Sequence, residues 1–191
     1  KMSEQLMGVL LDENPKGLGR GPCRYSLGDT SLAGATLQLV DQEPVLRVLR
    51  EYWRGVEFFV TMVGGDFSLP GAEQQGMHVD ARGVDDLKVY FTTVDFDQQT
   101  GPPRYVPGSH HWRDNPREVD SVLGFCPRGS AIIMNMEVWH GGTANKSSSA
   151  RPMLSVHYSP RSHKHRQIPS LVFQRLSPEA KRLCADMKQH A

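Results

Sequence analysis

Two histidines and one aspartate constrain this chain more than any other feature. Met77-His78-Val79-Asp80 sets an imidazole and a carboxylate two residues apart, and on an extended strand such a pair points to one face. His140, in Val138-Trp139-His140-Gly141-Gly142, lies roughly sixty residues on. It can join the pair only if a sheet curls back on itself. Two imidazoles and a carboxylate on one face form the facial triad that suits ferrous iron, with positions left open for substrate and oxygen. A His-x-Asp pair alone occurs by chance in many proteins. The glycine turn after His140 and the arginine at Arg151, on the next apolar-alternating run, add the context that raises it to a metal-site expectation. A barrel without metal, or with a different metal, is the alternative.

The rest of the chain supplies short strands separated by Gly and Pro turns. Residues 2–12 read as a short amphipathic helix, and residues 14–35 as loop with one short strand. Asp41 has the look of an N-cap. Behind it Val45, Leu46, Val48, Leu49, Tyr52 and Trp53 recur at helical spacing until Gly55. Val56–Val63 reads as a buried strand ended by Gly64-Gly65, with residues 66–76 as a loop leading into His78. Further strands are expected at Leu87–Phe96, Ser130–Met136 and Pro152–Tyr158. Ser177-Pro178-Glu179 caps a final helix running to about Lys188. The fold class expected is mainly β, a sandwich or barrel with flanking helices.

The 191 residues suit one domain with a sizeable core, spanning 1–191. A net charge of +1 gives no basic patch for nucleic acid, and no apolar run reaches membrane-spanning length. Three widely spaced cysteines, Cys23, Cys126 and Cys184, make neither a zinc knuckle nor a disulfide framework. A reducing, cytoplasmic setting is the expectation. Oligomeric state is not legible.

Three stretches together carry a resemblance: Met77-His78-Val79-Asp80, Gly101-Pro102-Pro103-Arg104-Tyr105-Val106-Pro107-Gly108-Ser109-His110, and Trp139-His140-Gly141-Gly142-Thr143-Ala144-Asn145 leading to Arg151-Pro152. In order and spacing the chain resembles the phytanoyl-CoA dioxygenase-like family of iron(II)- and 2-oxoglutarate-dependent oxygenases, over roughly residues 36–160. The resemblance implies a double-stranded β-helix, a jelly-roll or cupin-like barrel with flanking α-helices. It implies Fe(II), 2-oxoglutarate and dioxygen as cofactor and cosubstrates. His78, Asp80 and His140 would be the ligands, and Arg151 would hold the distal carboxylate of 2-oxoglutarate. Some relatives place a Ser or Thr two residues after the distal His; here that position is Gly142, with Thr143 behind it.

The residue types suit that chemistry. Arg151 offers a planar, permanently charged fork for a carboxylate. Asp80 favours hydroxylation over halogenation, which in relatives needs a small residue at the carboxylate position. Desaturation, ring formation and demethylation use the same triad. Gln75, Thr143 and Tyr90 are further candidates for contact with the cosubstrate, with exposed or structural roles as the alternatives. Gln74 has the same standing as Gln75. Arg104 is expected in a structural ion pair, with orientation of an acidic substrate as the alternative, and His110 and His111 in hydrogen bonds to the turn. Trp112 and Trp139 are expected in packing. His157, six residues after Arg151, shares its face on a regular strand, and is either a core histidine or one that faces the pocket. The function expected is oxidation of a small-molecule substrate with decarboxylation of 2-oxoglutarate to succinate. The alternatives are a cupin-like metalloenzyme that does not use 2-oxoglutarate, and an inactive binding module on the same barrel.

Overall fold

The structure is a computed structural model that describes residues 21–27, 36–116, 120–161 and 167–190. The helix expected over residues 2–12 lies outside them. The first strand, β1, is Arg24–Leu27. After a 3-10 turn at Leu37–Leu39 comes helix α1, Glu43–Tyr52, and then β2, Phe59–Ser68. Strands β3 (Leu87–Thr92), β4 (Pro103–Tyr105), β5 (Val122–Leu123), β6 (Ala131–Asn135), β7 (His140–Gly142) and β8 (Arg151–Ser159) follow. The C-terminal part holds β9 (Gln167–Pro169), α2 (Ser170–Gln174), α3 (Pro178–Leu183) and β10 (Lys188–His190).

Five strands make the major sheet in the order β1-β2-β8-β3-β6, antiparallel throughout. A minor sheet has the order β5-β4-β7, and β9 pairs with β10 in parallel. Register decides what each face of the major sheet carries. Val63, Val89, Val156 and Tyr158 point outward into one apolar cluster, which Leu46, Leu49 and Trp53 of the α1 region and Leu183 and Cys184 at the end of α3 complete. Each such aliphatic side chain contributes roughly 1.5–3 kcal/mol on burial. The opposite face is polar: Arg24 pairs with Ser68, and Ser68 with Arg151. Lys88 pairs with His157. Arg151 and His157 share that face, as alternation requires.

Helix α1 starts one residue later than the Asp41 cap implies: Gln42 is the N-cap, without a side-chain bond. Asp41 instead accepts a hydrogen bond from Ser177 Oγ. The chain leaves the helix through Arg54 and Gly55, both in the left-handed region. Strand β2 does not stop at Gly64-Gly65. It continues to Ser68 because Gly64 and Gly65 pair with Ser155 and Leu154 of β8. Ladder pairing overrides the turn preference of the glycines. β3 ends at Thr92 rather than Phe96, and α3 ends at Leu183, short of Lys188, where the chain turns to form β10. Ser177 caps α3 as expected, accepting from Ala180 N at 3.0 Å.

Candidate metal and cosubstrate site

Residues 76–81 run beside β7 without forming a ladder. His78 N–H donates to His140 O at 2.9 Å and His140 N–H returns a bond of 2.8 Å to His78 O. Asp80 N–H donates to Met136 O. The alternation still holds: Met77 and Val79 pack with Val106 and Trp139, while His78 and Asp80 turn toward His140. One ligand atom from each of His78, Asp80 and His140 lies within 4.8 Å of the others. Asp80 Oδ1 is 3.9 Å from His78 Nε2, and Oδ2 is 3.7 Å from His140 Nε2.

The surroundings prepare these groups as ligands. His140 Nδ1 lies 2.9 Å from Val138 O and His78 Nδ1 lies 3.1 Å from Gly76 O. A carbonyl beside Nδ1 fixes the proton there and leaves the Nε2 lone pair for a metal. Burial pushes the His140 imidazolium down to about 4, so the ring is neutral at neutral pH. For Asp80, burial acts upward, but the charges of Lys88 and His140 outweigh it and hold the carboxyl at about 2. Two imidazoles and one carboxylate fit a ferrous ion.

A cleft leads from His78 and His140 to a second cluster of charge. Its lining includes Arg24, Ser68, Gln75, Tyr90 and Arg151. Arg151 Nη2 donates to Ser68 Oγ at 2.8 Å and Nη1 to Thr100 O at 3.3 Å. Its Nε is buried with no hydrogen-bond partner. Burial, with Arg24 close by, pulls the Arg151 guanidinium down to about 10, still cationic at neutral pH. Arg24 Nη1 donates to the same Ser68 Oγ at 2.7 Å, and its other nitrogens to Glu73 O and Thr143 O. Both acceptor positions of the Ser68 hydroxyl are thus used, which leaves its O–H to donate. Two adjacent guanidiniums and an orphaned buried N–H suit the carboxylate of a keto acid.

Gln75 lines the cleft and its Oε1 accepts from Gly142 N at 3.1 Å. Tyr90 is buried in the cleft wall against Phe96, Met134 and Met153. Thr143 does not stand in for the hydroxyl missing at Gly142. Its Oγ1 donates to Pro102 O at 2.6 Å and it is absent from the lining. Arg104 donates to Gln75 O at 2.7 Å, and the Gln74 amide lies against its guanidinium. It therefore holds the loop before His78 through a backbone carbonyl. The His110 and His111 rings lie tilted at 46° to each other and take no part in the metal cluster. Trp139 packs as expected, with Arg82 over its ring, but Trp112 is 41% exposed.

Sequence reasoning missed Arg24, Ser68 and Lys88. Lys88 is 2% exposed and its Nζ donates to Asp80 Oδ2 at 3.0 Å. The available signal was a lysine sharing a face with Tyr90 in the apolar run Leu87–Thr92.

Residues 36–153 match the family model of phytanoyl-CoA dioxygenase (PhyH). The chain belongs to that family. The cofactor set expected from the sequence, ferrous iron with 2-oxoglutarate and dioxygen, is the family's. Among curated relatives, dioxygenase andF of Emericella variicolor is 31% identical over 130 residues, covering 57% of this chain and 45% of the relative. Dioxygenase cdmA of Talaromyces verruculosus is 27% identical over 106 residues, covering 51% and 36%. The chain thus spans less than half the length of these relatives. The fold is shared with AviO1 from Streptomyces viridochromogenes Tue57, at a TM-score of 0.64, 18% identity, and coverage of 82% and 80%. It is shared too with the epimerase SnoN from nogalamycin biosynthesis, solved in complex with Fe3+, alpha ketoglutarate and nogalamycin RO. There the TM-score is 0.62 with 19% identity, and coverage is 82% and 73%.

Proposed function

We propose that this chain forms the catalytic core of an iron(II)- and 2-oxoglutarate-dependent oxygenase that hydroxylates, or otherwise oxidises, a small molecule. The observation that carries the reading is the single cleft lined by His78 and His140 together with Arg24, Ser68 and Arg151. His78, Asp80 and His140 would hold the iron, which when bound supplies the activation of dioxygen coupled to decarboxylation of 2-oxoglutarate. Arg151 would bind the distal carboxylate of the cosubstrate through its orphaned Nε–H, with Ser68 O–H beside it and Arg24 adding charge. Gln75 and Tyr90 would line its path. Tyr90 and Met153, backed by Phe96 and Met134, would give that end an apolar wall that limits water.

Asp80 supports hydroxylation or a related oxidation over halogenation, since its carboxylate occupies the place a halide would need. The paired arginines favour a keto acid over the chemistry of a cupin that lacks one. Small-molecule oxidation also accords with SnoN, whose complex holds nogalamycin RO.

The test is an anaerobic titration of 2-oxoglutarate into the metal-loaded chain, wild type against Arg151→Gln. The variant keeps hydrogen-bonding capacity and loses the charge. Binding is expected to weaken by about 2–5 kcal/mol, the usual cost of truncating one partner of a buried charge pair. Metal affinity should hold. Equal affinity for 2-oxoglutarate in the two proteins removes the cosubstrate from the reading.

A further inference from the structure

Lys88 is a buried cation that the proposed function leaves unused. It stands on β3 with its side chain turned inward beside Tyr90, whose ring lies 4.7 Å from Nζ. Its shortest polar contact is the 3.0 Å bond to Asp80 Oδ2; Asp66 Oδ2 lies further off at 3.9 Å. A buried ammonium is costly unless paired, so its place here needs a reason. The inner face offers one in the carboxylate it touches. Asp80 has two oxygens, and Lys88 engages one of them. Oδ1 lies on the His78 side, 3.9 Å from its Nε2.

We propose that Lys88 is a positioning residue that keeps Asp80 a one-oxygen ligand of the metal. A carboxylate can bind a cation through one oxygen or chelate through both. Three single-atom protein ligands leave about three of six positions open, whereas a chelating aspartate leaves about two. A keto acid takes two and dioxygen needs another, so a chelating Asp80 would leave no room for both. Lys88 prevents that by tying Oδ2 into a charge-assisted hydrogen bond. The proposal rests on the metal centre described above and not on the identity of the cosubstrate.

The experiment loads the full chain with Mn(II) and counts exchanging metal-bound waters by water-proton relaxation, with no cosubstrate present. Wild type is expected to hold about three and Lys88→Met about two, because the freed oxygen turns onto the metal. Lys88→Arg, which keeps a charged donor, should restore the wild-type count. Lys88→Gln is the second probe: it is polar enough for the site and too short to reach Asp80, so it too should show the lower count. Mn(II) affinity should not fall in the Met or Gln variants, since a like charge has been removed while a ligand atom has been gained. A merely structural lysine would give the opposite pattern, with weakened metal binding and an unchanged count. An unchanged count in both variants, or a wild-type count of about two, overturns the proposal. A wild-type chain that binds no Mn(II) overturns the metal centre itself and this proposal with it, whereas failure to bind 2-oxoglutarate touches only the cosubstrate reading.

Discussion

Gly142 is a glycine because Arg24 and Gln75 fill the space beside it. A Cβ at that position would sit 2.7 Å from Arg24 Nη1 and 2.8 Å from Gln75 Oε1. Neither neighbour can swing away freely. Arg24 is tied to Glu73, Ser68 and Thr143, and Gln75 to the backbone of Gly142 itself. Gly142→Ala should therefore cost about 1–3 kcal/mol of stability, as overpacking does. It should also weaken 2-oxoglutarate binding by displacing Arg24. Chemical denaturation and the anaerobic titration check the two effects, and an unchanged variant would mean that Arg24 is held less firmly than its bonds imply. The same residue shows what the sequence could and could not disclose. The missing hydroxyl after His140 was legible, because it is a gap in a short motif. The Ser68 hydroxyl bonded to both arginines was not. Arg24 lies in a Gly- and Pro-rich stretch, and Ser68 lies beyond a pair of glycines that reads as the end of a strand. The gathering of His78, Asp80 and His140, and Arg151 in the same cleft, were legible for the opposite reason: these residues sit in words of a few residues.

Among the elements, the ones with strong periodicity stand where the sequence put them. Helix α1 shows its buried stripe at Val45, Leu46 and Leu49, and β8 alternates in burial from Arg151 to Leu154 before running fully buried from Ser155 to Ser159. The errors fall where pairing partners decide the outcome. β2 runs through Gly64-Gly65 because β8 supplies a full ladder opposite it, and no local signal reports that. The α1 layer should carry much of the stability: Leu46→Ala, at a fully buried position, is expected to cost about 2–5 kcal/mol by urea denaturation. The α3 end of the same layer predicts an alkaline limit. Burial pushes the Cys184 thiol up from 9.0 to about 12. The folded pKa lies above the unfolded one, so the protonated thiol's contribution is complete below pH 9.0 and is lost as pH rises toward 12. Relative to Cys184→Ala, wild type should lose up to about 4 kcal/mol across that window. Urea midpoints that track each other at every pH in the two proteins would show that the thiol does not titrate differently on unfolding.

For the molecule as a whole, the cleft is the seam between two walls. Arg24, Ser68, Tyr90 and Arg151 come from the major sheet, while Pro103, His140 and Gly142 come from the minor one. A ligand that touches both walls and the segment carrying His78 and Asp80 binds the folded chain and not the unfolded one. It must then stabilise the whole unit by linkage, by about 2.7 kcal/mol when present at 100 times its dissociation constant. For a chain of this size that corresponds to a rise in melting temperature of roughly 5–10 °C. The order of addition carries the information. Metal alone should raise the melting temperature, because it joins His140 of β7 to Asp80. 2-Oxoglutarate should add a second rise only after the metal, since in the proposed function Arg24 and Arg151 supply one end of its site and the metal the other. In Arg151→Gln the first rise should survive and the second should shrink. Anaerobic thermal scans with metal, with 2-oxoglutarate and with both measure this directly. A full rise from 2-oxoglutarate without metal would mean that the arginines alone bind the acid, and that the two ends of the cleft do not act as one site.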